Sequence, residues 1–187
     1  MGRCITSRAI AIWRGTMADL RVWYASRDPY HCIFRMVRLM TAKDEPMPLE
    51  QLRILDMFLM FPPLLHRLSV PANIKERFRA LGIPTPANSF VRLPGTASVW
   101  QELQLYQTTA LKRLTGLGML KRDALRDRYA SLESTMVPAE IMRQALEQNT
   151  TDKALVAFLV EDVASLPLTG RDNLTKRAGL PSRGPIA

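Results

Sequence analysis

The residues of this chain best suited to nucleophilic or metal chemistry are Cys4, Cys32, His31 and His66. Neither cysteine stands at metal-ligand spacing from another soft ligand, and the two together make no disulfide framework. His31 adjoins the apolar face of its helix and reads as packed, and His66 has no acid partner in the coarse layout. Adjacent carboxylates occur at Asp44-Glu45 and Glu161-Asp162, but neighbours on a helix point apart, so both pairs read as solvated. No GxxxxGK[ST] phosphate cradle exists, and Gly116-Leu117-Gly118 lacks the third glycine and the preceding strand of a dinucleotide fingerprint. The chain therefore reads as non-catalytic, with no metal and no cofactor. Any nucleotide-driven step must come from another subunit.

What the sequence does concentrate is positive charge. The net charge is +9 over 187 residues. Positions 1–43 hold eight basic and two acidic residues, and positions 112–128 hold six and two; positions 129–168 invert the balance, with two basic and six acidic. Such alternation suits a protein that meets an anionic surface on one side and a protein partner on another. Lys112, Arg113, Lys121, Arg122, Arg126 and Arg128 form the candidate nucleic-acid site, where contacts to a phosphate backbone would be electrostatic and largely blind to sequence. The competing reading is that Asp123 and Asp127 pair with the neighbouring arginines.

These residues need elements to carry them. Asp28-Pro29 is a helix start, with a carboxylate at the N-cap and proline at the first helical position. The helix runs to about Thr41, with Tyr30, Ile33, Phe34, Val37 and Met40 on one face and Arg35 and Arg38 on another. Lys43 to Pro48 reads as a loop. A helix from Leu49 to about Phe61 follows; it is apolar nearly all round, has Arg53 and Asp56 on its polar side, and should be central to the core. Pro62-Pro63 stops it, a short helix from Ile74 to Leu81 is closed by Gly82, and Ile83 to Thr96 is an ordered loop or strand pair. Ser98 to Leu114 is a strong helix, with Trp100, Leu103, Tyr106, Ala110 and Leu114 inward and Gln101, Gln104, Gln107, Thr108, Lys112 and Arg113 outward.

Beyond it, Met119-Leu120 and Tyr129 to Leu132 read as two strands flanking a basic connection, the order found in a winged helix-turn-helix. Arg122 to Arg128 could instead continue as helix. Pro138 to Gln148 is helical, Asn149 to Asp152 caps a further helix carrying Leu155, Phe158, Leu159, Val163 and Leu166, and a last short helix holds Leu174. The expected fold is mainly α, a winged-helix core with a small β wing and flanking helices. The expected organisation is an N-terminal extension at 1–16, a core at 17–137, a C-terminal helical region at 138–180 and a tail at 181–187. No apolar run approaches the roughly 18 residues of a bilayer span, and no secretory signal is visible, which points to the cytoplasm.

Four runs, DPYHCIFRMVRLM, LRILDMFLMFPPLLHRL, WQELQLYQTTALKRLTGLGMLK and LPLTGRDNLTKRAGL, taken in that order, resemble the middle components of bacterial three-component ABC systems, the Lamassu-like defence cassettes. The resemblance covers about Met17 to Leu180. It implies a winged-helix subunit beside an SMC-like ABC ATPase and an effector, a nuclease or another toxic enzyme, with no catalytic residues of its own. The expected function is thus an accessory subunit of a hetero-oligomeric antiviral or anti-plasmid complex, bridging ATPase to effector, with double-stranded DNA as a further partner. Asp28, Tyr30, Phe34, Arg35 and Arg38 are the candidate partner-binding residues. The alternative is a stand-alone winged-helix transcription regulator, which should carry a charged recognition helix. The long helix here offers glutamine and threonine until Lys112, and that favours the assembly subunit.

Overall fold

The computed structural model describes residues 25–85 and 94–181. The N-terminal extension assigned to 1–16, most of the 83–96 loop and nearly all of the tail lie outside them. Among the described residues the architecture is mainly helical with one small two-stranded sheet.

Helix α1 spans Pro29–Lys43. The Asp28 carboxylate accepts a hydrogen bond from the Tyr30 amide at 2.8 Å, satisfying one orphan N–H of the first turn, an arrangement worth about 1 kcal/mol. Asp44 ends the helix in the left-handed region at φ 53° and returns its N–H to the Met40 carbonyl. Strand β1, Met47–Pro48, leads directly into α2, Leu49–Met60. Every residue of α2 from Gln51 to Leu59 is buried, as its nearly continuous apolar surface requires.

The short α3 covers Ala72–Ala80, and the 21-residue α4 covers Thr96–Gly116. After α4 the chain makes an antiparallel bridge between Leu120 and Leu132. The Lys121 amide donates to the Ser131 carbonyl and the Glu133 amide to the Met119 carbonyl, at 2.9 and 2.8 Å. The expected pairing of these two apolar pieces is present. The basic connection between them is not an open loop: Arg122–Arg126 folds into a helical turn, α5. Strand β2, Tyr129–Ala130, pairs antiparallel with β1, Met47 opposite Ala130 and Pro48 opposite Tyr129. The segment read as a plain loop up to Pro48 therefore supplies a strand. Its partner lies more than eighty residues away, and two extended residues carry too little period-2 pattern to announce themselves.

The C-terminal region contains α6, Ala139–Thr151, then α7, Lys153–Ala157, which runs on into a π-helical stretch, Phe158–Val163. The Ala164 amide donates to the Leu159 carbonyl five residues back, and this wider turn lets Phe158, Leu159, Asp162 and Val163 all face inward. Helix α8, Leu174–Arg177, is capped by the Asn173 side chain. Helix α6 packs along α1, and the π segment along α1 and α2. Ala145, Val156, Phe158, Leu159, Val163, Leu166 and Leu174 thereby join one apolar core with Met36, Val37, Leu55, Phe58, Trp100 and Leu114.

One correction reaches the centre of the molecule. The spacing set Arg35 and Arg38 on a face of α1 apart from its apolar stripe, yet α1 is buried on every side from Cys32 to Met40, Phe34 alone being partly exposed. Helices α2, α4 and α6 surround it. A helix enclosed by three neighbours has no solvent side on which to place its arginines.

Candidate functional site

Asp56 on α2 is fully buried and gathers donors from two other helices. Arg35 of α1 reaches its carboxylate through Nε and Nη2, at 2.6 and 3.2 Å, and Gln107 of α4 donates to Oδ2 at 2.8 Å. The Cys32 thiol lies 3.7 Å from the same oxygen. Gln107 also donates to the Arg53 carbonyl and accepts from Arg53 Nε, while the Arg53 guanidinium stacks 4.8 Å above the Trp100 ring. Arg53 and Asp56, expected on a polar side of α2, and Gln107, expected on the outer face of α4, are thus interior. Each fills the polar slot opposite the others, since a buried charge persists only when paired and hydrogen-bonded.

This cluster is built for cohesion rather than reactivity. Burial opposes the charge of Arg35, but the Asp56 carboxylate more than offsets it and holds the arginine above its ordinary pKa. Burial, then the nearby negative charge of Asp56, pushes the Cys32 thiol above its usual range and so disfavours the thiolate. Burial and the adjacent Arg35 lower the pKa of His31, whose neutral ring accepts from Arg35 Nη1 at 2.7 Å through Nδ1. Arg38, on the next turn of α1, ties α6 to the core: it donates to Asn149 at 2.9 Å, to the Gln148 carbonyl, and to Asp152 at 2.7 Å.

Of the candidate partner-binding residues, Arg35 and Arg38 are therefore engaged within the protein. Asp28 serves as the helix cap and Phe34 packs at the edge of the core. Tyr30 is exposed to 63%, with the Arg113 guanidinium over its ring at 4.7 Å and bonded to its hydroxyl. It stands outside the apolar face on which the spacing had placed it. Glu161 and Asp162 do diverge, but only Glu161 is solvated. Asp162 is buried with one carboxylate oxygen unpartnered, its pKa raised chiefly by burial, and Arg77 of α3 bridges it and Glu161 at 2.8 Å each.

The six cations proposed to meet nucleic acid are all exposed, and Asp123 and Asp127 form no ion pair with any of them. Their surroundings differ. Arg113 turns toward Tyr30, Lys121 lines a cleft with Asp44 and Glu45, and Arg122 and Arg126 project from α5. Lys112 and Arg128 both line a groove of about 1150 Å³. The groove lies between the C-terminal half of α4, the start of α2 and the turn into β2, and Leu49, Leu111 and Leu168 give it an apolar floor. No sequence signal marked this groove, because its walls are far apart in the chain.

Arg128 sits at φ 64°, in the left-handed region, with its N–H on the Leu125 carbonyl and its own carbonyl on the Leu49 amide. A β-carbon there costs about 1 kcal/mol relative to glycine. Arg128→Gly is expected to raise the unfolding free energy by roughly 0.5–1 kcal/mol, measurable as a higher urea midpoint at unchanged slope. A fall in the midpoint would mean that the Arg128 side chain contributes packing that outweighs the strain.

Among the described residues no group of three or more His, Cys, Asp or Glu is placed to hold a metal ion, and no helix is long and apolar enough to cross a membrane. A family model for the Middle Component 5 of ABC-three component (ABC-3C) systems matches residues 21–183. No curated protein and no solved structure matches the chain.

Proposed function

The chain belongs to the Middle Component 5 family of ABC-3C systems, and from that premise we propose that it is a non-catalytic accessory subunit that bridges an SMC-like ABC ATPase to a toxic effector, nuclease or otherwise, in a Lamassu-like cytoplasmic defence complex. The family match over residues 21–183 is the observation that carries this reading. The order of elements supports a winged-helix core within it: helix, strand, helices, then two extended pieces that pair with each other, the second also pairing back to the first strand. In that reading α4 occupies the recognition-helix position. Its outer face carries Gln101, Gln104 and Thr108 around Leu105, which is 68% exposed. An exposed leucine bordered by uncharged polar groups and by Glu102, whose carboxylate pairs with Arg27, suits a protein surface better than a phosphate backbone.

Co-expression with the genes encoded beside it, followed by purification through a tag on this chain, tests the proposal. A large ABC ATPase and an effector should elute with it in fixed ratio. Elution alone, together with dimeric binding to a defined operator, would instead establish the stand-alone regulator.

A DNA contact within the complex is assigned to Arg122 and Arg126, which project from α5 free of ion pairs among the described residues. Reversing both charges should weaken duplex binding by the assembled complex. It should also reduce the slope of log affinity against log salt by about 2, close to one per lost phosphate contact. Unchanged affinity and slope would leave DNA to the ATPase.

A further inference from the structure

We infer that the groove between α4, the start of α2 and the β2 turn seats an acidic, amphipathic segment of a partner subunit, its apolar side chains on the leucine floor and a carboxylate between Lys112 and Arg128. This rests on the assembly reading above and adds the place and chemistry of the contact.

Three observations select that occupant. The groove is about 1150 Å³ in volume, at the upper end of or above the usual small-molecule pocket, so it suits a stretch of polypeptide. Its floor is Leu49, Leu111 and Leu168, with Tyr129, 42% exposed, at the rim. A half-exposed aromatic beside aliphatic side chains and flanking cations is the composition of a protein-binding surface. Its charges are unequally engaged. Lys112 and Arg128 meet no carboxylate, whereas Glu50 in the same lining already accepts from the Thr175 hydroxyl at 3.0 Å. Asp127, also in the lining and in no ion pair among the described residues, offsets only one of the two cations, so the unmet demand is for a single negative charge. Nucleic acid is disfavoured here, because Glu50 and Asp127 both line the groove and would stand against a continuous run of phosphates. A peptide can set one carboxylate between the cations and keep the remainder neutral.

A photo-crosslinking residue in place of Thr108, which is exposed on the groove wall, reports the occupant in the complex assembled with the subunits encoded alongside. The expected product joins this chain to a segment of the ATPase or effector that contains leucine-like residues and an Asp or Glu. Lys112→Glu combined with Arg128→Gly, the latter tolerated by the left-handed backbone, should weaken association with that subunit at least tenfold while leaving the circular dichroism spectrum unchanged. Reversing the crosslinked carboxylate to Lys should restore binding to Lys112→Glu. Crosslinks to DNA or to a second copy, a crosslinked segment without a carboxylate, no crosslink at all, or full affinity in the double variant would each overturn the inference. If the wild-type chain recovers no partner, the assembly reading fails before any variant is made, and this site falls with it.

Discussion

Asp56→Ala is expected to lower the unfolding free energy by about 3–5 kcal/mol, read as a large drop in the urea midpoint or as loss of soluble protein. The carboxylate receives Arg35 through two nitrogens, Gln107 through its amide and the Cys32 thiol, all inside the core. Its removal strands the Arg35 guanidinium, 2% exposed, without a counter-charge. Against a total of roughly 5–15 kcal/mol for a domain, that loss decides whether the protein folds at 37 °C. The cause is the orphaned charge rather than the lost attraction. Arg35→Met with Asp56→Leu should therefore recover most of the stability, because an apolar pair of similar volume avoids the desolvation of both ions. A single variant within 1 kcal/mol of wild type would show that water or a rearranged Gln107 satisfies Arg35, and that the network is not cohesive as described.

Truncation after Thr135 is expected to abolish folding of the remainder. It removes Val156, Phe158, Leu159, Val163, Leu166 and Leu174, each buried in the common core, and uncovers the sides of α1 and α2 on which they pack. At about 1.5–3 kcal/mol for each large side chain taken from water, the loss is on the order of 10 kcal/mol, comparable with the whole stability of a domain. It also removes Asn149 and Asp152, the partners of Arg38, and so leaves another guanidinium unpaired on α1. Expression of residues 17–135 should give aggregated or unstructured protein by circular dichroism. Phe158→Ala in the full chain should cost about 3–5 kcal/mol by the same packing argument. A soluble, cooperatively unfolding 17–135 fragment would show that the C-terminal helices are a separable docking element, not part of this core.

The acidic surface of those helices is consistent with both packing and exposure. Arg143 pairs with Glu140 and Glu147 on the outer face of α6, where solvent screening leaves exposed i,i+3 and i,i+4 pairs little weight in stability. The inner face, through Ala145 and the Arg38 contacts, secures the helix.

Helices α1, α2, α4 and α6 were legible in the sequence because their signals are local. Asp28-Pro29 sets a cap and a φ, Pro62-Pro63 removes two donors, Gly82 allows φ 61°, and apolar residues recur at the helical period. The pairing of Leu120 with Leu132 was also readable, since only a short segment separates two apolar pieces. Three features were decided by tertiary structure alone. Arg35, Arg38, Arg53, Asp56 and Gln107 look like surface residues in a helical projection; the packing of α4 against α1 and α2 lets Arg35, Arg53, Asp56 and Gln107 satisfy one another, and the packing of α6 against α1 supplies Asn149 and Asp152 to Arg38. Met47–Pro48 becomes a strand only because Tyr129–Ala130 lies beside it to complete its hydrogen bonds. The six cations at 112–128, close in sequence, take different surroundings because α4 ends and the chain turns through α5 and β2, leaving Lys112 and Arg128 in the lining of one groove. Period and capping are properties of a few neighbouring residues, whereas burial and the choice of partner depend on what the rest of the chain brings to the same place.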